Sequence, residues 1–129
     1  MADKESKILL PYSEICLRAD GIMEIVVSEN AAIGLKECYE LTEAYGDLLG
    51  ENKCPLLHIV GDYVTVDKDA RDYASSEEGL KFSKAEAFVI NSLPHKILAN
   101  FYMKMQKPSV PTKFFKTKQE AEEWLLQYV

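Results

Sequence analysis

The run Leu56-Leu57-His58-Ile59-Val60, bounded by Pro55 and Gly61, constrains the folding of this 129-residue chain more than any other segment. Its side chains do not alternate between apolar and polar, so it reads as a strand covered on both faces; a strand with one wet face would alternate. A sheet covered on both sides needs helices above and below. The chain supplies helical patterns in alternation with further strands, the arrangement of an α/β domain on a mostly parallel sheet.

Upstream of that run, Glu14 to Ala19 and Ile22 to Val27 read as two strands joined by Asp20-Gly21, a dipeptide that supplies the backbone angles of a tight hairpin, so the two are expected to pair antiparallel. From Asn30, taken as an N-cap, the spacing turns helical. Leu35, Cys38, Leu41, Thr42, Tyr45 and Leu48 form the inward stripe and Glu37, Glu40, Glu43 and Asp47 the outward one, with Gly46 and Gly50 loosening and then ending the helix. After the buried strand, Asp62 to Val66 reads as a connection and Asp67 to Ser75 as a short charged helix. Ser75-Ser76-Glu77-Glu78 has the form of a capping box and predicts another helical turn.

Ala85 to Ile90 reads as a further buried strand. Ser92 then caps a helix with Pro94 in its first turn, running through Met105, with Ile97, Leu98, Phe101 and Met105 inward and Lys96, Asn100, Lys104 and Lys107 outward; Pro108 closes it. Lys113 to Lys116 makes the last strand. Thr117-x-x-Glu120 is a capping box for a final helix whose Ala121, Trp124, Leu125 and Tyr128 share a stripe. The expected order is β-β-α-β-α-β-α-β-α: an α/β fold with a mostly parallel mixed sheet flanked by helices. One domain is expected over residues 1–129, with 1–7 as a flexible N-terminal arm.

Charge is segregated along the chain. Between Leu80 and Lys118 stand eight lysines and one carboxylate, Glu86, whereas the preceding 79 residues carry 17 carboxylates against seven basic side chains. A net charge of −6 thus conceals a basic stretch able to meet an acidic partner. The three cysteines, Cys16, Cys38 and Cys54, are odd in number and lack CxxC spacing, which favours reduced packing thiols. The opening MADKES has no apolar signal core, and no apolar run approaches the ~20 residues of a membrane span, so a soluble cytoplasmic protein is expected.

Motifs that would announce chemistry are missing. Asp67, Asp69, Asp72 and Glu78 imitate a calcium loop, but Asp72 occupies the position where the sharp turn requires glycine. His58 and His95 are not spaced as a local ligand pair, and Cys54 with His58 lies about two pleats apart on a strand. No glycine-rich phosphate cradle and no G-x-S-x-G elbow occur. Lysines and aromatics interleave from Phe101 to Phe115, but Phe114 and Phe115 point to opposite faces of a strand, which argues against a nucleic-acid stacking platform. The expectation is therefore a non-enzymatic protein with no metal and no cofactor.

The element order, with Asp67 to Tyr73 (DKDARDY), Ala99 to Tyr102 (ANFY), Lys107 to Phe114 (KPSVPTKF), Glu120-Ala121 and Trp124-Leu125, resembles the STAS or SpoIIAA-like family, and more closely its small uncharacterised relatives. The element order matches over nearly the whole chain and the local stretches over its second half. The resemblance implies a SpoIIAA-like fold. In the anti-sigma factor antagonists of that family, an Asp-Ser-Ser-Gly-type motif after the central strand carries a phosphorylated serine. Here the region reads Gly61-Asp62-Tyr63-Val64-Thr65-Val66-Asp67, without that serine, leaving Thr65 as the nearest phosphorylation candidate.

The leading expectation is thus a regulatory or protein-interaction domain. Its partner surface is placed at the carboxyl edge of the sheet, where Gly61 to Asp67 and Asn91 to Lys96 share a rim. Ser92 and Lys96 are the expected anion contacts, with Lys104 and Lys107 extending the basic face toward an acidic protein partner. The alternative is a carrier of a lipid or small apolar ligand in an internal cavity, suggested by aromatic and methionine side chains including Tyr102, Met103 and Met105. A homodimer through Tyr12, Phe82 and Tyr102 is compatible with either.

Overall fold

The computed structural model describes residues 6–129. Its strands are β1 (Ser6–Leu10), β2 (Ser13–Leu17), β3 (Met23–Val27), β4 (Ala32–Ile33), β5 (Cys54–Val60), β6 (Thr65–Val66), β7 (Ser83–Val89) and β8 (Thr112–Phe115). The helices are α1 (Leu35–Leu49), α2 (Lys68–Ala74), α3 (Leu93–Met105) and α4 (Lys118–Leu125), followed by a 3-10 turn over Leu126–Tyr128. Six strands form one sheet in the order β1-β2-β3-β5-β7-β8, and β4 and β6 form a separate two-stranded parallel pair.

The apolar run bounded by Pro55 and Gly61 is β5, flanked in parallel by β3 and β7. Successive side chains of β5 go to opposite faces: Leu56 joins the core beneath α1, while Leu57 joins the core beneath α4. Both are fully buried, which accounts for the absence of alternation. Asp20-Gly21 turns the β2–β3 hairpin with Gly21 at φ +93°, a conformation glycine adopts without steric cost. Gly61 is required for a different reason. A Cβ there would stand 2.6 Å from the Val27 carbonyl oxygen, where the chain leaves β5 pressed against the end of β3.

The expected mostly parallel mixed sheet flanked by helices is present, and several local expectations are corrected, among them the connection Asp62 to Val66, whose Thr65 and Val66 form β6. The arm expected over residues 1–7 gives way at Ser6 to β1, which pairs with β2; residues 1–5 lie outside the described residues. Asn30 is no N-cap. It sits in a turn at φ +68°, and the helix starts only after Ala32 and Ile33 have paired with Thr65 and Val66, with Gly34 at the cap.

Ser75-Ser76-Glu77-Glu78 begins no helix, because its hydroxyls serve the end of α2: Ser75 donates to the Arg71 carbonyl, and Ser76 donates to Tyr73 while accepting from Gly79 N–H. Helix α3 spans the expected residues, and Ser92 caps it by accepting from His95 N–H. Its rotation differs from expectation. Ala99 and Tyr102 are buried, whereas Ile97, Phe101 and Met105 are 61%, 46% and 59% exposed.

Helices α1 and α2 cover one face of the sheet and α4 the other. Thr117 caps α4 by accepting from Glu120 N–H, as its capping box predicts. Ala121 and Leu125 are fully buried against β5 and β7, and Trp124 bridges the rings of Phe115 and Tyr128. Arg18 fastens this helix to the hairpin, donating to Glu122 at 2.6 Å, Asp20 at 2.7 Å and Glu24 at 3.0 Å. While α4 packs closely on the sheet, α3 rides farther from it on the opposite face. No helix among the described residues is long and apolar enough to cross a membrane.

Candidate functional site

The space under α3 is a cavity of about 170 Å³. Its floor is the sheet, through His58 of β5, Glu86 and Phe88 of β7, and Phe114 of β8; α1 contributes Thr42 and Tyr45, α2 Arg71, and α3 closes it with Leu98, Ala99 and Tyr102. Most of this lining is apolar. Strand register explains the floor, because His58 lies opposite Phe88 and Phe88 opposite Phe114, so all three rings fall on one face. They stack, His58 on Phe88 at 4.3 Å between centroids and Phe88 on Phe114 at 4.9 Å, with the edge of Tyr102 at 6.5 Å. Such pairs contribute ~0.5–1.5 kcal/mol beyond area burial and hold the floor rigid.

Glu86 is the exceptional residue. It is 6% exposed, and one carboxylate oxygen accepts a 2.7 Å hydrogen bond from Ser83. The other lies 3.3 Å from His58 Nε2, close enough for an ion pair with a protonated ring. The alignment falls short of a hydrogen bond, and that buried nitrogen has no hydrogen-bond partner among the described residues. Two tyrosines bring further polar atoms to the same space. Tyr45 and Tyr102 are 6% and 7% exposed, and neither hydroxyl has a hydrogen-bond partner among the described residues. Burial first, and the nearby Glu86 second, push both phenols well above their ordinary pKa, so they remain donors.

Around the rim, Arg71 donates from Nη1 to the Val66 carbonyl at 2.7 Å and lies over the Phe101 ring at 5.5 Å, joining α2 to α3. Its Nε is buried without a partner. His95 Nε2 meets the Val64 carbonyl at 2.8 Å, bringing the segments Gly61 to Asp67 and Asn91 to Lys96 together as expected. Cys38 and Cys54 are not reactive in this setting. Burial raises the thiols of Cys38 and Cys54 to about 11, with Asp67 adding to the effect at Cys38.

Of the residues singled out from sequence, Tyr102 lines the cavity. Its burial, with Tyr12 and Phe82 packed against the core, corrects the expectation of an exposed aromatic dimer patch. The anion and phosphorylation candidates lie elsewhere. Ser92 spends its hydroxyl on the helix cap, and Lys96, Lys104 and Lys107 are exposed on α3 and just beyond it. They have no carboxylate partner among the described residues. Thr65 is an exposed residue of β6 and caps no helix; Asp67 caps α2 by accepting from Ala70 N–H. Glu86 was legible in one respect that sequence reasoning passed over: the lone carboxylate of the lysine-rich stretch interrupts a strand read as buried.

The sequence profile of a family described as a domain of unknown function, DUF7793, matches residues 15–129. The chain belongs to this family. Among solved structures, this DUF7793 chain is similar to an uncharacterised DUF3478-family protein with a SpoIIAA-like fold from Shewanella loihica PV-4. The two share 14% identity at a TM-score of 0.56, over 95% of this chain and 92% of the other. That likeness shows a SpoIIAA-like fold and agrees with the resemblance read from the residues. A protein of unknown function from Arthrobacter sp. FB24 aligns with the DUF7793 chain at 22% identity over 86% of this chain and 96% of that one, but its TM-score of 0.30 is too low to bear on the fold. No curated protein matches the sequence.

Proposed function

We propose that this DUF7793 protein is a non-enzymatic small-molecule-binding domain and that the space beneath α3 is its ligand site. One observation carries the reading: an apolar cavity of about 170 Å³ into which polar groups without protein partners converge. A core evolved only for packing leaves few voids and pairs its buried polar atoms. Ligand sites have the opposite character, a mostly apolar wall with a few placed polar groups. The volume favours a compact molecule over a lipid, since pockets for drug-sized ligands run from roughly 300 to 1,000 Å³.

Native mass spectrometry of the intact protein, purified without added ligand, tests this reading beside an Ala99→Met variant. Ala99 is buried in the cavity wall, so the longer side chain occupies ligand space. A retained small molecule is expected in the parent and not in the variant. Equal retention by both moves the site elsewhere.

A second reading, a protein-interaction domain, is favoured by a different observation. Leu93, Ile97, Phe101 and Met105 recur every fourth residue along α3 and are all exposed, beside Lys96 and Lys104. This surface suits an acidic protein partner with apolar anchors. Reversing charge at Lys96, Lys104 and Lys107 is expected to weaken capture of such a partner in a pull-down, and unchanged capture counts against the basic face.

A further inference from the structure

We propose that the cavity selects a neutral, ring-sized molecule carrying one hydroxyl, of the phenol or aryl-alcohol class. This rests on the small-molecule reading above and names the chemistry of the ligand. Size comes first. An apolar cavity of about 150 Å³ holds a benzene ring, so the 170 Å³ here accommodates one ring with a single polar substituent. Shape agrees: the floor is the flat stack of His58, Phe88 and Phe114, which presents an aromatic surface to a planar guest.

The polar groups then decide the substituent. Tyr45 and Tyr102 have hydroxyl protons to give and no protein acceptor among the described residues, so the ligand must accept. Glu86 has one oxygen satisfied by Ser83 and the other facing only the misaligned His58 nitrogen, so the ligand must also donate. A hydroxyl does both with one atom. A plain hydrocarbon leaves the tyrosines and Glu86 unpaired. A carboxylate accepts but cannot donate, and it brings a second negative charge against Glu86. The guanidinium of Arg71 has its Nη1 held by Val66 and its face by Phe101, and its buried Nε–H, which has no partner among the described residues, is a further donor for the oxygen of the ligand.

The test is titration calorimetry of the full chain with phenol, toluene and benzoate as probes, repeated on Tyr45→Phe, Tyr102→Phe and Glu86→Gln. Phenol is expected to bind about tenfold more tightly than toluene, the worth of one to two hydrogen bonds, and benzoate more weakly than phenol. Each tyrosine variant is expected to lose most of the preference for phenol while leaving toluene unchanged, a pattern that general unfolding does not produce. Toluene or benzoate binding as tightly as phenol overturns the assignment of a hydroxyl ligand but leaves the small-molecule reading standing. Binding of none of the three probes, with the parent folded, overturns both.

Discussion

Replacing Tyr45 by phenylalanine removes one oxygen from a ring that is 6% exposed and whose hydroxyl has no hydrogen-bond partner among the described residues. Core substitutions ordinarily destabilise, but this one deletes a cost and no contact. A fully buried hydroxyl without a partner costs about 1–3 kcal/mol; the Tyr45 hydroxyl keeps a little accessible surface in the cavity, and water reaching it offsets roughly half of that cost. The ligand-free Tyr45→Phe protein is therefore expected to be more stable than the parent by about 1 kcal/mol, which raises Tm by roughly 3–5 °C for a chain of this size.

Urea unfolding followed through Trp124, with the midpoint compared at constant slope, measures the difference. A loss of 1 kcal/mol or more would show that the hydroxyl has a strong partner and that the polar surface of the cavity is already satisfied. Tyr12 supplies the control. Its hydroxyl donates to Glu40 at 2.8 Å and lies 3.1 Å from the Glu37 carbonyl, so Tyr12→Phe is expected to cost about 1–2 kcal/mol in the same assay. Opposite signs for the same chemical change would separate a structural tyrosine from one held for a ligand, the familiar exchange of stability for function.

Arg18→Ala removes three carboxylate contacts from a side chain that is 19% exposed; the expected loss is about 1–3 kcal/mol, with hydrogen exchange rising first in α4, and unchanged protection there would count against its role as a fastener. Cys38 and Cys54 hold their protons to about pH 11 in the folded chain, whereas unfolded thiols lose theirs near 8.5. Their stabilisation is therefore complete below the unfolded value and is lost as pH rises through the folded one, so unfolding midpoints are expected to fall between about pH 9 and 11. Mass-resolved alkylation at pH 8 should accordingly spare both until denaturant is added; rapid labelling of either would contradict the burial.

Residues that act through local geometry were readable in the chain. Asp20-Gly21, Ser92 and Thr117 each punctuate the backbone within three or four positions of themselves, and the structure has the hairpin and both caps where the motifs stand. Features set by tertiary packing were not readable. Strand β1 lies at the sheet edge, with Ile8 and Leu10 packed on the core and Leu9 between them exposed although apolar, so its sequence shows no alternation to read. Helix α3 carries two apolar stripes, and the one with Ala99 and Tyr102 faces the cavity while the one with Ile97, Phe101 and Met105 is exposed, a choice the helix's own spacing does not make. The convergence of Glu86, His58, Tyr45 and Tyr102 depends on strand register and on two helices distant in sequence. A single local window contains only one of them at a time.

The distance at which α3 stands from the sheet has a mechanical consequence. The space of about 170 Å³ is partly open and lined mostly by apolar side chains, so only the share of it that water leaves unfilled is lost when the chain unfolds, and by that share the unfolded protein occupies less volume than the folded one. Unfolding volumes of small proteins run from roughly −20 to −100 mL/mol and scale with such unfilled space. A guest that fills the space removes the volume advantage of unfolding. Hydrostatic pressure thus reads occupancy directly: the occupied domain withstands compression that the unoccupied one does not.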